Sequence, residues 1–427
     1  MSKINETRLS NGLTILTDPM QGVRSATLGF FFRVGSRHEP NELNGISHFI
    51  EHTVFKGTPK RSSLDIAIEQ DRLGGNLDAF TTHEETGFAI KVIDDQLPAA
   101  FDLIADMLAN PRFDEADLES EQRVIIEEMK MVEDSPEEYL SEIFSREFFP
   151  GHPLGLSIAG TPETVKSFDS KTTRRYHEQV FCGLNLVIAA AGNVDHTQLV
   201  EMASRVWSSS PSLPVVTPER RERPLPPQYA SPIIIEQNEN LEQAHVIIAT
   251  PFIAAADKKR YPADLLANIL GGGTSSRLWQ KIREERGLAY SVGASTIMYH
   301  DCGLFSVFAG TSPEQVNEVV DITIAEMREV VKNGVTQAEL ELAKQQTRAS
   351  ILLGLEDSAG RAATLAQSEM LHGHQIPVEE TLENVDAVTV EEIQVLAREH
   401  FKTERIAFAA LGDLKGLDIS REILKTS

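Results

Sequence analysis

His48, Glu51 and His52 stand as H-x-x-E-H within the stretch NGISHFIEHTVFKG. The apolar spacing of that stretch predicts a helix that stops at Gly57 and Pro59. Residues four apart share a helical face, so both imidazoles can turn toward one metal ion. Glu51 follows His48 by three positions and adjoins His52, which lets it lean over the same point without being a ligand. Hydrolytic zinc chemistry asks for such a set: neutral nitrogen donors, one open position, and a carboxylate that takes a proton from water. The plainer alternative is a pair of packed or solvated helix histidines beside an acid.

Two histidines need a third donor, and a carboxylate commonly supplies it. The predicted helix DLESEQRVIIEEMKMVED offers Glu119, Glu121, Glu127, Glu128 and Glu133. Glu121 and Glu128 are seven apart, two helical turns, and so point the same way. Spacing alone leaves the choice among the five open, since each also suits a solvated face. The second half of the chain holds no histidine between His245 and His300, and so no copy of the motif. GGGTSSRL lacks the G-K-[ST] of a phosphate loop and reads as a plain loop. His372 and His374 read as a surface turn.

The elements that must position these residues come in two similar series. Seven of the 20 prolines fall between Pro211 and Pro232, the composition of a semi-rigid linker. The expected division is therefore a catalytic domain at 1–210, a linker at 211–232 and a homologous, substrate-holding domain at 233–427. Strand-like runs (Leu13 to Leu16, Thr27 to Val34, Asn76 to Thr82, Gly87 to Ile93) alternate with helical ones before the linker. AHVIIAT, LAYSVGAST and GLFSVFAG repeat the plan after it, and FDEADLE is echoed by VTQAELE. The predicted fold class is α+β, with two duplicated domains, each a mainly antiparallel sheet covered by helices on one side.

Composition excludes several functions. The 427 residues carry 40 Lys and Arg against 64 Asp and Glu, a formal charge of −24. That field disfavours nucleic acid and anionic membrane and permits a preference for basic peptides. Two cysteines, Cys182 and Cys302, make no disulfide framework. No apolar run reaches the roughly 20 residues that span a bilayer. With no signal-like N-terminus in MSKINETRLSNGLTIL, the expectation is a cytoplasmic protein.

HFIEHTVFKGT, GGNLDAFTTHEETGF and EQRVIIEEMKM closely resemble the pitrilysin-type zinc peptidases, the inverzincins. That family includes insulin-degrading enzyme and the mitochondrial processing peptidase. The resemblance continues through HPLGLSIAGT, LVIAAAGNV, NILGGGTSSRLWQKIREERGLAYSV and DCGLFSVFAGT, nearly the whole chain. It is strongest to half-length members such as the processing peptidase β subunit.

The resemblance implies one Zn²⁺ per chain, held by His48, His52 and Glu128, with Glu51 as the base and Glu121 supporting a ligand. Glu128 lies 128 − 52 = 76 residues past His52, matching the family's third ligand. The resemblance also makes Leu77 to Thr81 an edge strand that pairs with extended substrate, through Asp78, Ala79 and Phe80. Its usual Asn-Ala pair is Asp78-Ala79 here, and an Asp carboxylate does not donate as Asn does. Arg283 and Tyr290 match an Arg/Tyr pair that holds substrate or oxyanion; by residue type alone they read as a surface charge and a strand aromatic. The implied activity is an endopeptidase cleaving flexible peptides inside a chamber formed by a homodimer. The alternative is a non-catalytic or partner-dependent subunit of a processing-peptidase-like complex.

Overall fold

The computed structural model describes residues 4–207 and 226–426, and most of the expected 211–232 linker lies outside them. The chain forms two compact units. The first comprises Met1–Met131, Leu156–Leu225 and Leu353–Gln375; the second comprises Val132–Gly155, Pro226–Leu352 and Ile376–Ser427.

The first unit is built on a six-stranded sheet. Its strands are β1 (Asn5–Arg8), β2 (Thr14–Pro19), β3 (Ser25–Phe32), β4 (Leu77–Thr81), β5 (Thr86–Ile93) and β6 (Leu186–Gly192). They lie in the order β1-β2-β6-β3-β5-β4, parallel only between β2 and β6. Leu28, Phe30 and Phe32 of β3 face a core that also holds Phe49, Ile50 and Phe101 from helices. Phe31 faces the other way, with Leu16, Val187 and Ala189. A strand apolar on both faces must be covered on both. The second cover is the helix Ser358–His372, which brings Leu365 and Ala366 from the far half of the sequence. Glu369 of that helix is buried, and a buried carboxylate has to be paired. Arg8 and Arg33 each reach it at 2.7 Å.

The second unit has a five-stranded sheet in the order β7-β11-β8-β10-β9. Its strands are β7 (Ile233–Gln237), β8 (Ala244–Phe252), β9 (Ala289–Met298), β10 (Gly303–Thr311) and β11 (Ala407–Gly412). Only β7 and β11 run parallel. Strand for strand this is β2-β6-β3-β5-β4 again, with β1 omitted, so the duplication read from the sequence is present in the topology. One face packs on its own helices through Val246, Ile248, Phe305 and Phe408. The other receives Leu140, Phe144 and Phe148 of the helix Pro136–Phe148, from the near half of the sequence.

Both sheets are thus mainly antiparallel and carry the expected helical layer on one face. Each has in addition one helix from the opposite half of the chain on its other face. The compact units therefore differ from a division at the proline-rich stretch by these two exchanged segments. Amphipathic periodicity marks a helix but not which sheet receives it. No helix among the described residues is long and apolar enough to cross a membrane.

Candidate active site

The helix carrying the motif runs from Ile46 to Thr53 and continues as a 3₁₀ turn, Val54–Lys56. Its start is held from two directions. Gly45, at φ 95°, turns the chain into the helix, and a Cβ there would lie 2.5 Å from the Ala159 carbonyl oxygen. Only glycine fits both the conformation and the space. Asn44 Nδ2 also donates to the Ser157 carbonyl at 3.0 Å, so the segment HPLGLSIAGT closes over the helix start. From the other side the buried Glu39 carboxylate accepts the Gly45 and Ser47 backbone N–H groups, each at 2.7 Å. This cap was not read from the sequence. Burial pushes Glu39 up to about 7 despite those bonds.

His48 and His52 share one face of the helix, with ring centroids 4.7 Å apart. The helix Glu115–Glu133 brings Glu128 to them: its Oε2 lies 3.5 Å from His52 Nε2 and 4.0 Å from His48 Nε2. One donor atom from each of the three residues falls within 4.8 Å of the others. A cation held tetrahedrally at zinc–nitrogen distances spaces its donors about 3.4 Å apart, so this opening suits an ion of that size. Burial, then the neighbouring His52, lowers His48 to about 4, leaving it a neutral lone-pair donor at physiological pH. The buried His48 Nδ1 has no hydrogen-bond partner among the described residues.

Glu121 stands behind His52 rather than beside the opening. Its Oε2 is 3.3 Å from His52 Nδ1, and Lys56 Nζ reaches its Oε1 at 2.5 Å. Accepting from Nδ1 fixes the tautomer that leaves Nε2 free toward Glu128. Burial disfavours the charge on Glu121, but His52 and Lys56 outweigh it and hold its pKa below the usual range. Burial likewise opposes an imidazolium at His52, yet the Glu121 bond and the Glu128 and Glu51 charges raise its pKa in the metal-free chain. Lys56 was not singled out from the sequence; its spacing, four after His52, puts it on the same face. Of the other candidates on the glutamate helix, Glu127 instead pairs with Lys130 at 2.7 Å.

Glu51 is buried beside this group, and burial raises its pKa. Thr81 Oγ1 donates to Glu51 Oε2 at 2.6 Å. Thr81 ends β4, the outermost strand of its sheet, which pairs only with β5. The carboxylate that can accept a proton is thereby tied to the strand whose free edge can take an extended chain. Ala79 shares the face of Thr81, while Asp78 and Phe80 point to the opposite face, Phe80 against Phe31 at 6.4 Å between centroids. In the second unit, Arg283 lies over the rings of Trp279 at 4.1 Å and Tyr290 at 4.8 Å. Tyr290 is 78% exposed, so the pair meets at a surface rather than in a core.

The chain is similar to known proteins over nearly its whole length. Residues 14–162 match the insulinase family (peptidase family M16), and residues 167–347 match the peptidase M16 inactive domain. An uncharacterized zinc protease of Streptomyces coelicolor is 37% identical over 424 residues, 98% of this chain and 91% of the relative. The chain belongs to peptidase family M16. Another relative, an uncharacterized zinc protease of Bacillus subtilis, is 34% identical over 94% of this chain and 96% of its own length. Among solved structures, a protease from Helicobacter pylori superposes with a TM-score of 0.86 at 22% identity, covering 96% of this chain and 100% of that one. A peptidase M16 inactive domain from Pseudomonas fluorescens gives 0.87 at 19% identity, covering 96% and 98%. At those identities the likeness is one of fold, and the fold is that of the half-length M16 proteins.

Proposed function

We propose that this chain is a zinc-dependent endopeptidase acting on flexible peptides. The observation that carries the reading is the convergence of His48, His52 and Glu128 on one opening, with Glu51 beside it and fastened to the edge strand β4. The three residues hold one Zn²⁺ per chain, which when bound supplies Lewis-acid polarisation of the scissile carbonyl and a more acidic water. Glu51 takes the proton of the attacking water and returns it to the leaving amine. Its burial, which favours the protonated form, suits the return. Glu121 and Lys56 keep His52 in its donor tautomer. β4 aligns the peptide by backbone pairing, which tolerates varied sequence. Arg283 and Tyr290 hold substrate or the developing oxyanion, and the active species is a homodimer, since one chain carries both this pair and the metal set.

Cleavage of a quenched fluorescent peptide of about 15 residues tests this, with Glu51→Gln in parallel and zinc measured in both. Expected are cleavage by a species of twice the chain mass and a loss of about 10²–10⁴-fold in Glu51→Gln with zinc retained. Bound zinc without cleavage would indicate that a different partner chain is required. Absence of zinc after metal-replete purification would instead favour a non-catalytic binding subunit.

A further inference from the structure

The bond between Thr81 and Glu51 joins two elements, and one short segment holds both of them. Residues 35–39 lead from the end of β3 toward the helix Ile46–Thr53. At the far end of this segment, Glu39 takes the Gly45 and Ser47 N–H groups and fixes the start of that helix. At the near end, Gly35, Ser36 and Arg37 lie against the turn that joins β4 to β5, directly after Thr81.

That turn, residues 82–85, is closed on itself. Thr82 N–H donates to the Glu85 carbonyl at 2.8 Å, and Thr82 Oγ1 accepts the Glu84 and Glu85 N–H groups at 3.2 and 3.0 Å. Whatever grips the turn therefore grips the end of β4. The Ser36 and Arg37 N–H groups donate to the Thr82 and His83 carbonyls at 3.1 and 2.9 Å. Gly35 permits the approach, because a Cβ there would stand 2.2 Å from the Thr82 carbonyl oxygen. Beyond these backbone bonds comes an ion pair, in which Arg37 Nη1 donates to Glu84 Oε1 at 2.6 Å. The Arg37 side chain is 3% exposed and that of Glu84 28%. A guanidinium so deeply buried is costly unless paired, and a buried ion pair adds little net stability over apolar packing of the same size. What it does add is direction, since a charge-assisted bond of this length fixes where its two ends lie.

We infer that Arg37 is a positioning residue for Glu51: through Glu84 it sets the end of β4 so that Thr81 Oγ1 stays on Glu51 Oε2. The inference rests on the reading of Glu51 as the base. Arg37 acts through the turn, whose Glu84 lies three residues past Thr81. The same short segment, through Glu39, fixes the helix that carries the Glu51 carboxylate. Donor and acceptor of the Thr81–Glu51 bond are thus held in one frame.

The test uses Arg37→Met, which removes the charge and leaves Glu84 partly open to water. A second variant, Arg37→Met with Glu84→Leu, replaces the pair by apolar side chains and keeps a folded chain should the single variant unfold. Each is made with and without Thr81→Val. The quenched peptide gives kcat and KM, with zinc content measured alongside. The Thr81 side-chain rotamer is read by methyl NMR of threonine-labelled, zinc-free protein, which needs no activity. Expected in Arg37→Met is a kcat lowered about fivefold, with KM and zinc content within about twofold of the unsubstituted chain. Added to Thr81→Val it should cost no further kcat, and Thr81 should pass from one rotamer to an average of several. An unchanged kcat, a loss that multiplies with that of Thr81→Val, or a single Thr81 rotamer in both Arg37 variants would overturn the inference. An unsubstituted chain that binds zinc but cleaves nothing would sink the peptidase reading and leave the Thr81 rotamer to decide this one; cleavage with Thr81 unmoved in the variants would do the reverse.

Discussion

The two units carry the same sheet and have diverged in what hangs on it. Aligning FDEADLE with VTQAELE offsets the long helices by 337 − 115 = 222 residues. Glu121 then corresponds to Ala343 and Glu128 to Ser350, so the second unit lacks both carboxylates that stand at the His48–His52 pair in the first. One detail survives in both. Gly192 and Gly412 close β6 and β11, and counting across the ladders from them puts Thr81 and Thr296 at the same place on their edge strands. Thr81 donates to Glu51, and Thr296 donates to Asp264 at 2.8 Å on the helix Arg260–Gly271 that follows β8. A hydroxyl–carboxylate strap between the edge strand and the adjacent helix is thus common to both units, and in the first its carboxylate lies beside the cluster of His48, His52 and Glu128. The comparison separates what the sheet needs from what the chemistry needs.

The sharpest way to break the comparison is to make the first unit resemble the second. Glu128→Ser and His48→Ala each remove one donor, and two remaining donors hold zinc poorly. Peptide cleavage is expected to fall by more than about 10³-fold and zinc content to drop well below one per chain. The far-ultraviolet circular dichroism should stay unchanged, because the second unit folds without such donors. A chain that binds no zinc but still cleaves would refute the ligand set.

Much of this is legible in the sequence. The H-x-x-E-H spacing on a helix, the seven-residue spacing of Glu121 and Glu128, and the alternating runs that became β3, β5, β9 and β10 are local patterns, and local patterns survive in sequence. What stayed hidden is long-range. Nothing near residue 358 says that Leu365 and Ala366 belong over Val187 and Ala189, because any apolar stripe fits any apolar sheet face. Glu39 resembles a surface acid in SRHEPNEL, and only the fold shows it turned inward under Gly45 and Ser47. The direction of Asp78 depended on strand register, which a one-residue slip would invert.

Glu39 offers a second, smaller contrast: at the start of the helix Arg260–Gly271 the corresponding carboxylate, Asp257, is exposed and among the described residues accepts only the Lys259 N–H, at 2.8 Å, whereas Glu39 is buried. Its folded-state pKa of about 7 lies above the ordinary glutamate value. Between the two values the folded chain holds a proton that the unfolded chain has released, so stability falls as pH rises through this window and levels off above it. Glu39→Gln removes the titration but keeps only one of the two accepting oxygens, so its stability is offset by a constant amount. Urea unfolding across pH 5–8 is expected to show a loss of about 2 kcal/mol in the unsubstituted chain between pH 5 and pH 8 that the variant does not show. Parallel curves would mean that Glu39 stays ionised throughout, held by the two N–H groups.

The smallest expected effect bears most directly on the strap. If it only braces the fold, Thr81→Val and Thr296→Val should each cost about 1 kcal/mol of stability and nothing more. The hydrogen bond from Thr81 to Glu51, the base in the proposed reaction, argues for an additional loss in the first unit. An unbound Glu51 oxygen is free to rotate away from the opening, so kcat in Thr81→Val is expected to drop about tenfold with KM and zinc content unchanged. Thr81→Ser keeps the hydroxyl and should restore most of that rate, whereas Thr296→Val should leave kcat within about twofold of wild type. Equal kcat in the two valine variants would place both straps on the structural side of the comparison and leave the orientation of Glu51 to its burial alone.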